Sequence, residues 1–102
     1  MVSSGVEGIR GVEAVLKALA NRRRLMMLAM LRRRKELHVG ALADVMRLPI
    51  KTVSRNLRLL ERAGLVLSDR RGVFVCYRLI SGAPQFVRLA IEATEEAEAN
   101  LP

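Results

Sequence analysis

The hydrophobic period of this chain changes twice between Val39 and Leu79, and few folds accommodate that double change. Over Val39 to Met46 the apolar residues Leu42, Val45 and Met46 are spaced as one face of a short helix. Pro49 ends that pattern. Because proline disfavours helix in the residue before it and is tolerated at a helix start, Leu48 closes one segment and Pro49 or Ile50 opens the next. From there to Ala63 the spacing turns Val53, Leu57 and Leu60 inward, and Gly64 stops the helix. Beyond Gly64, LVLSD and VFVCYRL are rich in β-branched and aromatic residues. They flank DRRG, whose Gly72 suits a hairpin position with positive φ. The pattern predicts helix, tight turn, helix and a two-stranded β-ribbon.

Upstream, Val6, Ile9, Val12, Val15, Leu16 and Leu19 predict a first helix from about Val6 to Ala20. Asn21 is placed to cap a second helix, whose Leu25, Met27, Leu28 and Leu31 lead to the basic run Arg32 to Lys35. Met26, Met27, Met30 and Met46 read as core filling. Pro84 opens a last helix with Phe86, Leu89, Ala90, Ala93 and Ala97 on one face and Glu92, Glu95, Glu96 and Glu98 elsewhere. The order is ααααββα: a mainly α fold with a small β-hairpin, a single winged helix-turn-helix domain over residues 1–102. A chain of 102 residues buries only about two-thirds of its unfolded surface. Apolar stripes on both end helices therefore predict a homodimer held by the first and last helices.

Eighteen Lys and Arg against ten Asp and Glu give a net charge of +8, which favours a polyanionic partner. With only Phe74, Tyr77 and Phe86 as aromatics, no row of rings can stack unpaired bases, so duplex DNA is preferred over single strands or RNA. The N-terminal stretch lacks the apolar run of a secretion signal, and nothing is long enough to span a bilayer. The single cysteine, Cys76, rules out an intramolecular disulfide. The expectation is a cytoplasmic protein without membrane partners.

In a helix-turn-helix the second helix enters the major groove. With Val53, Leu57 and Leu60 inward, Lys51, Thr52, Ser54, Arg55 and Arg58 face away. Arg and Lys donate to guanine or phosphate, hydroxyls bond either, and Asn56, if it points outward, can pair with adenine. Arg70 and Arg71 at the hairpin tip can reach a neighbouring minor groove or its phosphates. The plain alternative is the solvated face of an amphipathic helix, with Arg58 and Arg62 paired to Glu61 or Asp44. Arg22 to Arg24 stand at a helix N-terminus, where cations oppose the dipole, a placement that phosphate or an acidic partner would explain.

The stretches VLKALANRRRLMMLAML, ELHVGALADVM, LPIKTVSRNLRLLERAGLV and DRRGVFVCYRL resemble the ArsR/SmtB family of bacterial and archaeal repressors, most specifically in TVSRNLRLLERAGLV. The resemblance implies that Ser54 and Arg55 contact DNA, that the end helices form a dimer, and that an effector releases the protein from its operator. The sequence departs from the family where metal sensors carry two cysteines flanking a valine: here stand His38, Val39 and Gly40. The last helix also lacks the Asp and His ligand pattern of other members. One His and one Cys expected to lie far apart cannot supply the roughly four ligands of a soft-metal site, so no metal and no cofactor are expected. His38 reads as a surface or helix-capping residue and Cys76 as structural, with an intermolecular disulfide or sulfenate the remaining redox route.

No nucleophile and base are arranged for catalysis, so an enzyme is not expected. The sequence reads as a sequence-specific duplex-DNA-binding regulator, a repressor acting on a palindromic operator, with an effector it does not name. An architectural DNA binder and a protein-interaction module docking through the Glu-rich last helix are the competing readings.

Overall fold

The computed structural model describes residues 8–100, in the order α1 (Gly8–Leu19), α2 (Arg22–Arg34), β1 (Leu37–His38), α3 (Val39–Met46), α4 (Ile50–Arg62), β2 (Val66–Arg71), β3 (Phe74–Leu79) and α5 (Gln85–Ala99). Val6, the expected start of the first helix, lies outside the described residues. Asn21 caps α2 as its short polar side chain allows, Oδ1 accepting from the Arg24 amide at 3.1 Å.

α3 closes on Arg47, a non-glycine residue in the left-handed region at φ 56°. The Leu48 amide returns to the Ala43 carbonyl at 3.1 Å and the Arg47 amide to Asp44 at 3.3 Å, the paired bonds that satisfy the last carbonyls of a helix. Pro49 follows at φ −60° and α4 begins at Ile50. The turn between the two helices is therefore set by one left-handed residue and one proline.

The core runs through every helix. Val15 and Leu19 of α1, Met27, Leu28 and Leu31 of α2, Leu42 of α3, and Val53, Leu57 and Leu60 of α4 are buried against Leu65, Val66 and Tyr77. Each such aliphatic side chain contributes about 1.5–3 kcal/mol by leaving water. Met27 and Met30 are buried within the same cluster.

Two expectations are corrected. The ribbon is the main part of a three-stranded antiparallel sheet in the order β1-β3-β2, because Leu37 pairs with Tyr77 and His38 with Cys76. The ααααββα order thus gains a two-residue strand, and His38 and Cys76, expected far apart, are register partners. On α5 the residues that complete the core are Val87 and Ile91, with Phe86 and Ala90 packed beside them. Leu89, Ala93 and Ala97 are exposed.

Candidate nucleic-acid interface

With Val53, Leu57 and Leu60 no more than 1% exposed, the opposite face of α4 is fixed by geometry. Lys51, Ser54, Arg55 and Arg58 follow one another at helical spacing along it, Lys51, Arg55 and Arg58 exposed and Ser54 half-buried. The Arg58 guanidinium donates to Ser54 Oγ at 2.8 Å, rather than pairing with Glu61 or Asp44. Glu61 instead accepts from Ser68 Oγ at 2.6 Å, tying the end of α4 to β2.

Thr52 and Asn56 are half-buried at the edge of that face. Asn56 does not project outward: Nδ2 donates to the Thr52 carbonyl at 2.9 Å, and Oδ1 accepts from Arg24 at 3.1 Å. Arg24 also donates from Nε to the Ala18 carbonyl at 2.6 Å and from Nη2 to the Lys17 carbonyl at 3.2 Å. This accounts for one of the cations at the α2 N-terminus. The guanidinium crosses to the carbonyl end of α1, where the dipole is negative, and joins α1 and α2 to α4. Sequence reasoning missed this role because two of its three acceptors are backbone carbonyls, which carry no residue signature, and the third, Asn56, is 32 positions away.

On the wing, Gly72 takes φ 63° at the turn between β2 and β3. Arg70 is exposed and makes no side-chain hydrogen bond or ion pair among the described residues. Arg71 is held. Its guanidinium meets both Glu36 carboxylate oxygens, at 2.5 and 3.2 Å, and donates from Nε to Asp69 at 3.3 Å. The Asp69 hydrogen bond, then the Glu36 charge, keep its pKa above the usual guanidinium value. Glu36 was not singled out in the sequence, since it stands outside both the recognition helix and the hairpin.

His38 caps α3, Nδ1 accepting from the Ala41 amide at 3.2 Å, so a neutral ring carries its proton on Nε2. A Cβ on Gly40 would stand 3.3 Å from His38 Cε1, so the ring folds back into space that glycine leaves open. Phe74 packs on the ring at 4.8 Å between centroids. A cleft of about 380 Å³ lined by His38, Ile50, Ser54, Phe74 and Val75 separates the start of α4 from the wing. Cys76 is half-buried and carries a free thiol.

A family described as a helix-turn-helix domain matches residues 19–69, half of the chain. The structure is similar to a possible ArsR-family transcriptional regulator of Mycobacterium bovis, whose winged helix-turn-helix DNA-binding domain is described as homodimeric. That domain has 36% sequence identity and a TM-score of 0.71, covering 92% of this chain and 84% of that one. The chain belongs to the ArsR family. This ArsR-family protein is also similar to HlyU of Vibrio cholerae, with 33% identity and a TM-score of 0.72 over 89% of this chain and 95% of that one. It is 34% identical over 83 residues to the arsenic resistance transcriptional regulator ArsR1 of Pseudomonas putida, and the match covers 81% of this chain. The chain spans 65% of the length of that curated relative. The matched domain is a helix-turn-helix, and the Pseudomonas putida relative and the Mycobacterium bovis protein, the latter as a possible one, are described as transcriptional regulators. No helix among the described residues is long and apolar enough to cross a membrane.

Proposed function

We propose that the protein is a sequence-specific repressor that binds a palindromic operator as a homodimer. The observation that carries the reading is the outer face of α4, where Lys51, Ser54, Arg55 and Arg58 form an uninterrupted polar stripe opposite the buried Val53, Leu57 and Leu60. In this reading Arg55 and Ser54 contact base edges, while Lys51, Thr52 and Arg58 bond phosphates or adjoining bases. Arg70 meets the neighbouring groove. Asn56, engaged by Arg24 and Thr52, sets the position of the helix instead of reading adenine. Arg71 reaches phosphate only by leaving Glu36 and Asp69.

The dimer reading rests on apolar surface left uncovered in the single chain. Ile9, Val12 and Leu16, at helical spacing on α1, are 88%, 37% and 50% exposed, and Leu89 on α5 is 53% exposed. A twofold axis through those helices sets two recognition helices to read inverted half-sites. Occupying an operator blocks access to it, which requires no second activity.

Selection of bound duplex from a random pool tests the proposal. A palindromic motif is expected, and Arg55→Ala lowers the preference for it. Enrichment by base composition alone refutes sequence-specific regulation in favour of an architectural protein, and failure to retain DNA leaves only the protein-interaction reading.

A further inference from the structure

A cavity of about 430 Å³ lies away from the α4 face, between α2, the end of β3 and the start of α5. Leu65, Leu79, Ile80, Val87 and Ile91 make its apolar walls, and the exposed residues Arg32 and Arg88 also line it. None of its lining residues is acidic. We propose that this cavity is a binding site for a small amphipathic organic anion, an apolar body carrying one carboxylate. The inference goes beyond the DNA-binding reading and stands without it.

Volume, lining and charge agree on that ligand class. Small-molecule sites run from about 300 to 1,000 Å³, mostly apolar with a few placed polar groups. The apolar walls favour a hydrocarbon or aromatic body over a hydrated phosphate. Arg88 has no carboxylate partner among the described residues. Its Nη1 donates to the Ala83 carbonyl, which orients the guanidinium and leaves donors for an anion. Arg32 is bound loosely, 3.6 Å from Glu92 and 3.6 Å from Glu95, beyond hydrogen-bond reach of either and therefore able to turn to a closer carboxylate.

The cavity is also distinct from the surface assigned to the second copy. Val87 and Ile91 face it from α5, whereas the exposed Leu89 is two residues from each and so about 200° around the helix. A ligand here touches α2 and α5 together and leaves the uncovered stripe of α5 alone.

The test uses the full chain without DNA, with decanoate as probe and decanol as its uncharged counterpart, followed by calorimetry and by side-chain methyl NMR. Decanoate is expected to saturate at one molecule per protomer, shifting the methyl signals of Leu79, Ile80, Val87 and Ile91, and to bind about tenfold more tightly than decanol. Arg88→Gln, at an exposed position, is expected to remove that advantage, and Ala83→Phe, at the rim, to abolish binding, with circular dichroism confirming that both variants fold. Absence of saturable binding, equal affinity for decanol, or undiminished binding by the folded Ala83→Phe protein would each overturn the proposal. So would dissociation of the dimer by decanoate in place of a one-to-one complex.

Discussion

Truncating Arg24 to alanine removes a half-buried guanidinium that donates three hydrogen bonds, to the Lys17 and Ala18 carbonyls and to Asn56. Hydrogen bonds to charged groups contribute about 1.5–3 kcal/mol each when sheltered, less when solvent competes. The Nε bond to Ala18 and the Nη1 bond to Asn56 are part-buried, while the bond to Lys17 is exposed. Taking the first two near the low end and neglecting the third gives about 3 kcal/mol. Against this, removing a cation from the α2 N-terminus returns about 0.3–1 kcal/mol, less the attraction to the carbonyl end of α1 that is lost with it. The expected net loss is about 2–3 kcal/mol, a large share of the stability of a domain this small. Urea unfolding at a fixed protein concentration measures it, because the proposed dimerisation would make the midpoint concentration-dependent. A cycle with Asn56→Ala isolates the Arg24–Asn56 term, expected at about 1 kcal/mol. A loss below about 0.5 kcal/mol for Arg24→Ala would refute the argument, since surface substitutions without structural role fall in that range.

Four further outcomes are expected. Arg55→Ala weakens binding to a selected operator by about 1–3 kcal/mol and narrows its margin over random DNA, read by fluorescence anisotropy; an unchanged margin removes α4 as the reading helix. Glu36→Gln loosens Arg71 and raises affinity for operator and random DNA alike, with a steeper salt dependence; unaltered affinity means that the ion pair does not restrain the wing. Tyr77 has its pKa raised, first by burial and then by the Glu61 charge. The unfolded chain therefore ionises first. The tyrosine contribution is intact below about pH 10 and is lost as pH climbs through the folded value. Absorbance of this single tyrosine reports the titration, and Tyr77→Phe makes the alkaline fall in stability shallower; a tyrosine titrating at or below its ordinary value contradicts the shift. Finally, Leu16→Glu with Leu89→Glu, both on exposed surface, yields a folded monomer by light scattering; a persistent dimer places the interface elsewhere.

The elements with a strong period or a local cap signature were legible in the sequence. Asn21 as a cap, α3 from Val39 to Met46, and the inward set Val53, Leu57 and Leu60 follow from spacing and side-chain chemistry alone. β1 was not legible, because two residues cannot establish a period and its pairing is with Tyr77 and Cys76, some forty positions away. On α5 the face read from Phe86, Leu89, Ala90, Ala93 and Ala97 omits Val87 and Ile91, which packing against α2 places in the core. The same holds at the site. The outward stripe on α4 follows from which residues are buried, whereas the fates of Asn56 and Arg71 depend on Arg24 and Glu36, each more than thirty positions distant.

The short strand β1 has a mechanical consequence. Through it the first helix of the helix-turn-helix is hydrogen-bonded to the wing, and Ser68 clamps the other wing strand to the end of α4. Helix and hairpin therefore behave as the two jaws of a caliper whose opening is set before any duplex enters. A rigid gauge does not adapt to groove width; the duplex must. If the protein binds duplex DNA as proposed, sequences that adopt the required width cheaply would be favoured even at base pairs that no side chain touches, and stiffness of the DNA between the jaws would become part of what it selects.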